Sequence, residues 1–271
     1  MGRKALFFDV DGTLLSEKTR KIPESALEAI RKARKLGHMA FINSGRETCL
    51  LDEIRAMVDM DGYLCGCGTQ LIVGDKTVYE SRMKAEDCEF VVRNARAYGV
   101  EPVLEAQEAL YFLKPPYVAK QIYQVHDSIA SNHPDAVKEY KDGILFDKFC
   151  FWAEESSDTE NFIRLLSSRV TVIDRGGGMY ECVPLGHSKA TAIHQILELY
   201  GIALEDAYVF GDSTNDLSMF QAVPNTILMG KHDKELEPYA SFVTKDLEDD
   251  GIAYAMEQLG ILLEENGARI Q

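Results

Sequence analysis

The chain has 271 residues, of which 46% are hydrophobic, enough to bury a sizeable core in one large domain or two smaller ones. With 29 basic against 44 acidic side chains its formal charge is −15, which argues against the clustered cations that general nucleic-acid or anionic-membrane binding needs. No stretch approaches the roughly 20 apolar residues of a membrane span, and the opening MGRKALFFDVDGTLL lacks a signal peptide's cleavage pattern, so a cytoplasmic protein with neither nucleic-acid nor membrane partners is expected.

Residues Lys4–Val10 predict a buried strand ended by the turn Asp11-Gly12-Thr13. Pro23 opens a helix to Leu36, with Ala26, Leu27, Ile30 and Ala33 on one face and Gly37 as its stop. Met39–Asn43 is a second apolar strand, closed by Ser44-Gly45-Arg46. A helix follows to about Met57, and Tyr63–Cys65 is a third strand. Such alternation predicts a parallel sheet with helices on its faces.

After about Tyr79 the pattern changes. MKAEDCEFVVRNARAYG predicts a helix ended by Gly99, ALYFL a strand stopped by Pro115-Pro116, and AKQIYQVHDSIASN another helix. KFCFWAE is a strand and DTENFIRLLSSR a helix, while VTVID and MYECV, joined by Gly176-Gly177-Gly178, form a hairpin. Residues 82–185 therefore form an α+β unit inserted between 1–81 and 186–271. The alternation then resumes. SKATAIHQILELYG is a helix with Ile193, Ile196, Leu197 and Tyr200 inward, followed by strand AYVFGD, helix TNDLSMFQA, strands NTILMG and SFVT, and helix GIAYAMEQLGILL. The closing EENGARIQ is expected to fray.

Four polar groups share one placement in this scheme. Asp9 with Asp11, Ser44, and the run Gly211-Asp212-Ser213-Thr214-Asn215-Asp216 each follow an apolar strand, and Lys189 opens the helix that re-enters the first unit. Ligands of open α/β sheets bind at the carboxyl ends of the strands, so Asp9, Asp11, Asp212 and Asp216 should converge there with Ser44, Lys189 and Asn215. Carboxylates crowded into one cleft repel one another unless a cation intervenes. Oxygen donors without His or Cys suit Mg²⁺ before Ca²⁺ or Zn²⁺. A hydroxyl, an ammonium and an amide suit the oxygens of a phosphate, with helix-start N–H groups assisting. Carboxylates, Mg²⁺ and a phosphate pocket together indicate phosphoryl transfer.

The six cysteines, Cys49, Cys65, Cys67, Cys88, Cys150 and Cys182, are scattered through apolar contexts and suit reduced, buried thiols. Cys65-Gly66-Cys67 raises a zinc or redox alternative but lacks a second pair. The six histidines form no metal-binding pair; His187 is expected at an exposed turn and His194 on a helix surface.

DVDGT (Asp9 to Thr13), Ser44 in FINSGR, Lys189 in HSKATAI and GDSTND (Gly211 to Asp216) occur in the order of the four motifs of the haloacid dehalogenase superfamily of phosphohydrolases, which the chain resembles over essentially its whole length. The position of the insertion makes it most similar to the Cof-type subfamily. Ala190 stands where that subfamily often has Gly. The resemblance implies a Rossmann-like three-layer α/β core with a parallel sheet and an inserted α+β cap of the C2B type. It also implies Asp9 as nucleophile and Asp11 as general acid and then base. Mg²⁺ would be held by Asp9, the Asp11 backbone carbonyl, Asp212 and Asp216, and the phosphate by Ser44, Gly45, Lys189 and Asn215. The implied reaction is hydrolysis of a small phosphorylated metabolite such as a sugar phosphate, flavin mononucleotide or pyridoxal phosphate, by a monomer or homodimer. A phosphomutase of the phosphomannomutase type and a non-catalytic metabolite sensor are the alternatives. The cap should supply specificity, with Arg175, Met179, Tyr180, Glu181 and the stretch Lys114–Tyr117 as candidate contacts.

Overall fold

The computed structural model describes residues 2–263, and the expected frayed end at 264–271 lies outside them. Its strands are β1 (Ala5–Phe8), β2 (Met39–Asn43), β3 (Gly62–Cys65), β4 (Gln70–Val73), β5 (Lys76–Glu80), β6 (Val100–Ala106), β7 (Ala109–Phe112), β8 (Val137–Glu139), β9 (Lys148–Ala153), β10 (Val170–Asp174), β11 (Met179–Pro184), β12 (Ala207–Gly211), β13 (Asn225–Leu228) and β14 (Phe242–Val243). The α-helices are α1 (Glu24–Lys35), α2 (Asp52–Met57), α3 (Ala85–Ala95), α4 (Gln121–Asn132), α5 (Thr159–Leu166), α6 (Lys189–Tyr200), α7 (Leu217–Ala222) and α8 (Gly251–Gln258).

The first sheet has the order β14-β13-β12-β1-β2-β3-β4-β5. Its strands are parallel from β14 to β3. β1 is apolar at every position because both of its faces are covered. Leu6 and Phe8 pack with α1, α2 and α8, while Ala5 and Phe7 pack with α6 and α7. Burying each such Phe or Leu contributes about 1.5–3 kcal/mol, so the three layers hold one another.

Two antiparallel strands, β4 and β5, extend this sheet beyond the expected third strand. The signal for them was the two-residue turn Gly74-Asp75 between alternating residues, with Gly74 at φ +55°. The helix expected after Arg46 is broken into a 3-10 turn, Thr48–Leu50, and the short α2; the one expected from Thr214 begins as a 3-10 turn, Thr214–Asp216, before α7.

The second sheet, β10-β11-β9-β6-β7-β8, is the inserted cap and includes the expected β10–β11 hairpin. Its pairings are antiparallel except β7 with β8. Leu104, Phe149, Phe151 and Cys182 point to one face, where they pack with α3 and α5. β6 and β8 were not expected. β6 contains Pro102, Glu101 and Glu105, which disguise a strand. Both glutamates are buried yet paired: Glu101 accepts hydrogen bonds from Arg96 at 2.9 Å and from the Val118 amide at 2.7 Å, and Glu105 meets Lys148 at 2.8 Å. No helix among the described residues is long and apolar enough to cross a membrane.

Candidate active site

β1 has β12 on one side and β2 on the other, so the strand order reverses at β1 and a crevice opens at its carboxyl end. Asp9 is the first residue past the strand, held by its amide donating to the Phe210 carbonyl at 3.0 Å. The chain then turns back, with Val10, Leu14 and Leu15 buried as anchors. Gly12 sits at φ +82°, and a Cβ there would stand 2.4 Å from Asp212 Oδ2, so the close approach of the two loops requires glycine.

Lys189 is the first residue of α6, behind a capping box in which Ser188 and Thr191 satisfy each other's amides. Its buried ammonium donates to Asp9 Oδ1 at 2.6 Å and Asp216 Oδ1 at 2.7 Å. The other oxygen of Asp216 accepts from the Asp212 amide at 3.0 Å, and Thr13 Oγ1 donates to Asp212 Oδ1 at 2.7 Å. Carboxylate oxygens of Asp9, Asp212 and Asp216 lie within 4.8 Å of one another.

This crowding has an electrostatic cost. Burial and then the neighbouring Asp216 push Asp9 up to about 7, outweighing Lys189. Burial and then Asp9 push Asp212 up to about 8. Lys189 is raised despite its burial, by Asp216 and Asp9. One ammonium among three acids leaves a site short of positive charge. Its oxygen-only donor set fits a hard divalent cation such as Mg²⁺. Lys189→Met would leave acids buried without a counter-charge. It should therefore destabilise the protein by about 3–5 kcal/mol at pH 8 and by less at pH 5, where Asp9 and Asp212 are protonated. Equal loss of melting temperature at both pH values would contradict this account.

The remaining expected residues surround the same cleft. Ser44 follows β2 directly and is buried, its Oγ accepting from the Arg46 amide at 3.1 Å; Gly45 comes next, and Asn215 enters from the 3-10 turn before α7. Asp11 lies apart from the three clustered acids. Its carboxylate is gripped by Arg46, with Nε to Oδ2 at 2.9 Å and Nη2 to Oδ1 at 2.5 Å. Arg46 was not among the expected site residues, although its position beside Ser44 and Gly45 was a signal for it.

The cleft between the strand ends and the cap has a volume of about 280 Å³. Of the cap residues expected to contact it, Arg175, Met179 and Glu181 do line it. Tyr180 does not: alternate residues of β11 face opposite sides, and Tyr180 stacks on Phe151 with ring centroids 4.8 Å apart on the helix-covered face. Lys114–Tyr117 also lies off the cleft, with Tyr117 packed on Phe112 and Tyr123. Missed by sequence reasoning were Glu105, Lys148 and Trp152, which reach the cleft from β6 and β9. His187 is half-buried rather than at an exposed turn, 2.8 Å from the Tyr79 hydroxyl, while His194 is exposed as expected.

All six cysteines are free. Burial pushes the Cys65 thiol up to about 12 and Cys67 well above its usual value, which disfavours the thiolate that redox or zinc chemistry needs.

The family model for haloacid dehalogenase-like hydrolases matches residues 6–256. Among curated relatives, YkrA of Bacillus subtilis is 28% identical over 97% of this chain and 100% of its own length. The 5-amino-6-(5-phospho-D-ribitylamino)uracil phosphatase YwtE of the same organism is 24% identical over 94% of this chain and 98% of its own, and the pyridoxal phosphate phosphatase YbhA of Escherichia coli is 23% identical over 93% and 97%. A solved phosphatase structure of this superfamily from Bacteroides thetaiotaomicron superimposes with a TM-score of 0.82 at 24% identity, covering 96% of each chain. A solved sugar phosphatase of its subclass IIB gives 0.80 at 24% identity, covering 95% of this chain and 99% of that one. The motif order, the acid cluster at the switch point and the inserted cap thus have one explanation: the chain belongs to the haloacid dehalogenase-like hydrolases.

Proposed function

We propose that this protein is a Mg²⁺-dependent phosphatase that hydrolyses a small organic phosphate monoester through an aspartyl-phosphate on Asp9. The observation that carries this reading is the meeting of Asp9, Asp212 and Asp216 with the Lys189 ammonium at the carboxyl end of β1, beneath a cap. The phosphatase names of YwtE and YbhA support a small phosphorylated metabolite as substrate. We take the cap as residues 82–185, and the free cysteines support a reducing, cytoplasmic setting.

In this reading an Asp9 carboxylate oxygen attacks phosphorus and the leaving oxygen departs with a proton from Asp11. Asp11, now a base, takes a proton from the water that attacks phosphorus in turn and frees Asp9. One residue serves both steps because the leaving alcohol departs before the water arrives. Ser44, the Gly45 amide, Lys189 and Asn215 hold the phosphoryl oxygens, and Lys189 also offsets charge around Asp9. Mg²⁺, held by Asp9, the Asp11 carbonyl, Asp212 and Asp216, would neutralise charge on the acids and the transferring group.

The direct test is phosphate release from a panel of sugar phosphates, nucleotides and cofactor phosphates, with Mg²⁺ and with chelator. Chelator-sensitive release is expected. Sugar-phosphate isomerisation without release would replace the phosphatase by a mutase.

The raised acids also give the metal-free protein a pH signature. Asp9 at about 7 and Asp212 at about 8, against an ordinary 3.8, keep protons in the folded chain that the unfolded chain has lost. Stability in chelator should therefore fall as pH rises from about 4 to about 8. Mg²⁺ competes with those protons, so a concentration 100 times its Kd at pH 8.5 should raise the melting temperature by roughly 5–10 °C there, and the same concentration far less at pH 5. An equal rise at both pH values, or none at pH 8.5, would contradict the cation assignment.

A further inference from the structure

The cap sheet is two-faced. Leu104, Phe149, Phe151 and Cys182 face α3 and α5, while the alternate residues of β6, β9 and β11 face the cleft. A face needed only to close over the site would be apolar. Where this one lines the cleft it carries three buried charges: Lys148, 1% exposed, lies 2.8 Å from Glu105 Oε2 and 3.0 Å from Glu181 Oε1, with the glutamates 7% and 6% exposed. Glu105 sits directly opposite Lys148 in the β6–β9 register, and Glu181 comes from β11 on the other side of β9. Buried ion groups are poor stabilisers compared with apolar residues of similar volume, so packing does not account for them.

Resting on the phosphatase reading, we propose that Glu105, Lys148, Glu181 and Arg175 are the specificity-determining residues of this site. They read the hydroxyl groups of a small, uncharged polyhydroxylated leaving group and repel leaving groups that carry further negative charge. Arg175 Nη1 is buried without a hydrogen-bond partner, and Arg175 lines the cleft. The four side chains thus set donors beside acceptors, the combination that hydroxyls satisfy because each hydroxyl both donates and accepts. Their formal charges cancel, two cations against two carboxylates. Burial raises Glu181, but Lys148 and Arg175 outweigh it and bring it down to about 2, so it is ionised at any working pH. An anion entering here would meet two carboxylates, Glu105 and Glu181, against one open cation, Arg175, because Lys148 is already occupied.

Trp152, Leu110, Val125 and Ile129 supply an apolar wall for the C–H face of the same ligand. At about 280 Å³ the cleft falls below the roughly 300–1,000 Å³ of sites for drug-sized ligands, which suits a single ring or short alditol. Glu181 also reaches the loops that follow β2 and β3: its Oε1 accepts from Cys67 Sγ at 3.3 Å, and a Cβ on Gly45 would stand 3.0 Å from it.

The test compares kcat/KM for a hexose 6-phosphate, its aldonate 6-phosphate analogue bearing one carboxylate, and p-nitrophenyl phosphate, in wild type, Glu105→Gln and Glu181→Gln. Wild type should prefer the hexose phosphate over the aldonate by at least about tenfold. Each variant should raise KM for the hexose phosphate and shift the aldonate-to-hexose ratio toward the aldonate by about tenfold, the worth of one charged hydrogen bond. A merely structural role would lower all three substrates alike and leave the ratios fixed, a result that overturns the proposal even for a destabilised variant. Wild-type preference for the aldonate overturns it too. Absence of any Mg²⁺-dependent release from p-nitrophenyl phosphate would remove the phosphatase reading itself, and the proposal with it.

Discussion

Phosphate release by the Asp9→Asn variant is expected to fall by on the order of 10⁴- to 10⁶-fold, the scale on which removing a catalytic nucleophile acts. The amide keeps the size and the hydrogen-bonding shape of the acid but cannot attack phosphorus. The fold should survive for an electrostatic reason. Burial and the neighbouring Asp216 already push Asp9 up to about 7, so a neutral side chain relieves repulsion rather than creating it, and Lys189 keeps Asp216 at 2.7 Å. In chelator at pH 8 the variant should melt no lower than wild type. Substantial residual turnover in a purified, folded variant would remove Asp9 from the role of nucleophile.

Asp11→Asn should be the second most damaging change, and its effect should depend on the leaving group. General acid catalysis is typically worth 10²- to 10⁴-fold, so an alkyl phosphate should slow by about that factor. An aryl phosphate such as p-nitrophenyl phosphate leaves without a proton and should be affected far less in the first step. The grip of Arg46 on Asp11, at 2.9 and 2.5 Å, bears on where that carboxylate points as substrate enters. Equal losses of kcat/KM, which reports the first phosphoryl transfer, for alkyl and aryl substrates would argue against proton delivery by Asp11.

Much of the core was legible because its signals are local. The parallel strands announce themselves as continuous apolar runs, and each polar residue placed at a strand's carboxyl end could be assigned to one crevice without knowing any distance. Asp9, Ser44, Lys189, Asn215, Asp212 and Asp216 do line that crevice or the cluster at its floor. The cap was harder for a physical reason. β6 hides behind Pro102 and two glutamates whose partners come from elsewhere in the cap: Arg96 for Glu101, Lys148 for Glu105. Arg96 lies only five residues before Glu101, but Lys148 comes from a different strand than Glu105, and pairing that distant in sequence leaves no periodic trace. On β11 the alternation alone was enough to separate Met179 and Glu181 from Tyr180, once one of the three was known to face the cleft. Knowing which face that was required the sheet, and the sheet required β6. The position of Arg46 beside Ser44 and Gly45 was a signal, but its bond to Asp11 was not legible, because it spans two loops that meet only when β1 and β2 pair.

The most direct measurement is rapid acid quench of the enzyme with a phosphate monoester labelled at phosphorus, in the presence of Mg²⁺. Protein-bound label that appears before free phosphate saturates, is released by hydroxylamine, and is lost in Asp9→Asn is the predicted result. Full turnover with no label on the protein at any quench time, or label that persists in Asp9→Asn, would contradict an aspartyl-phosphate on Asp9.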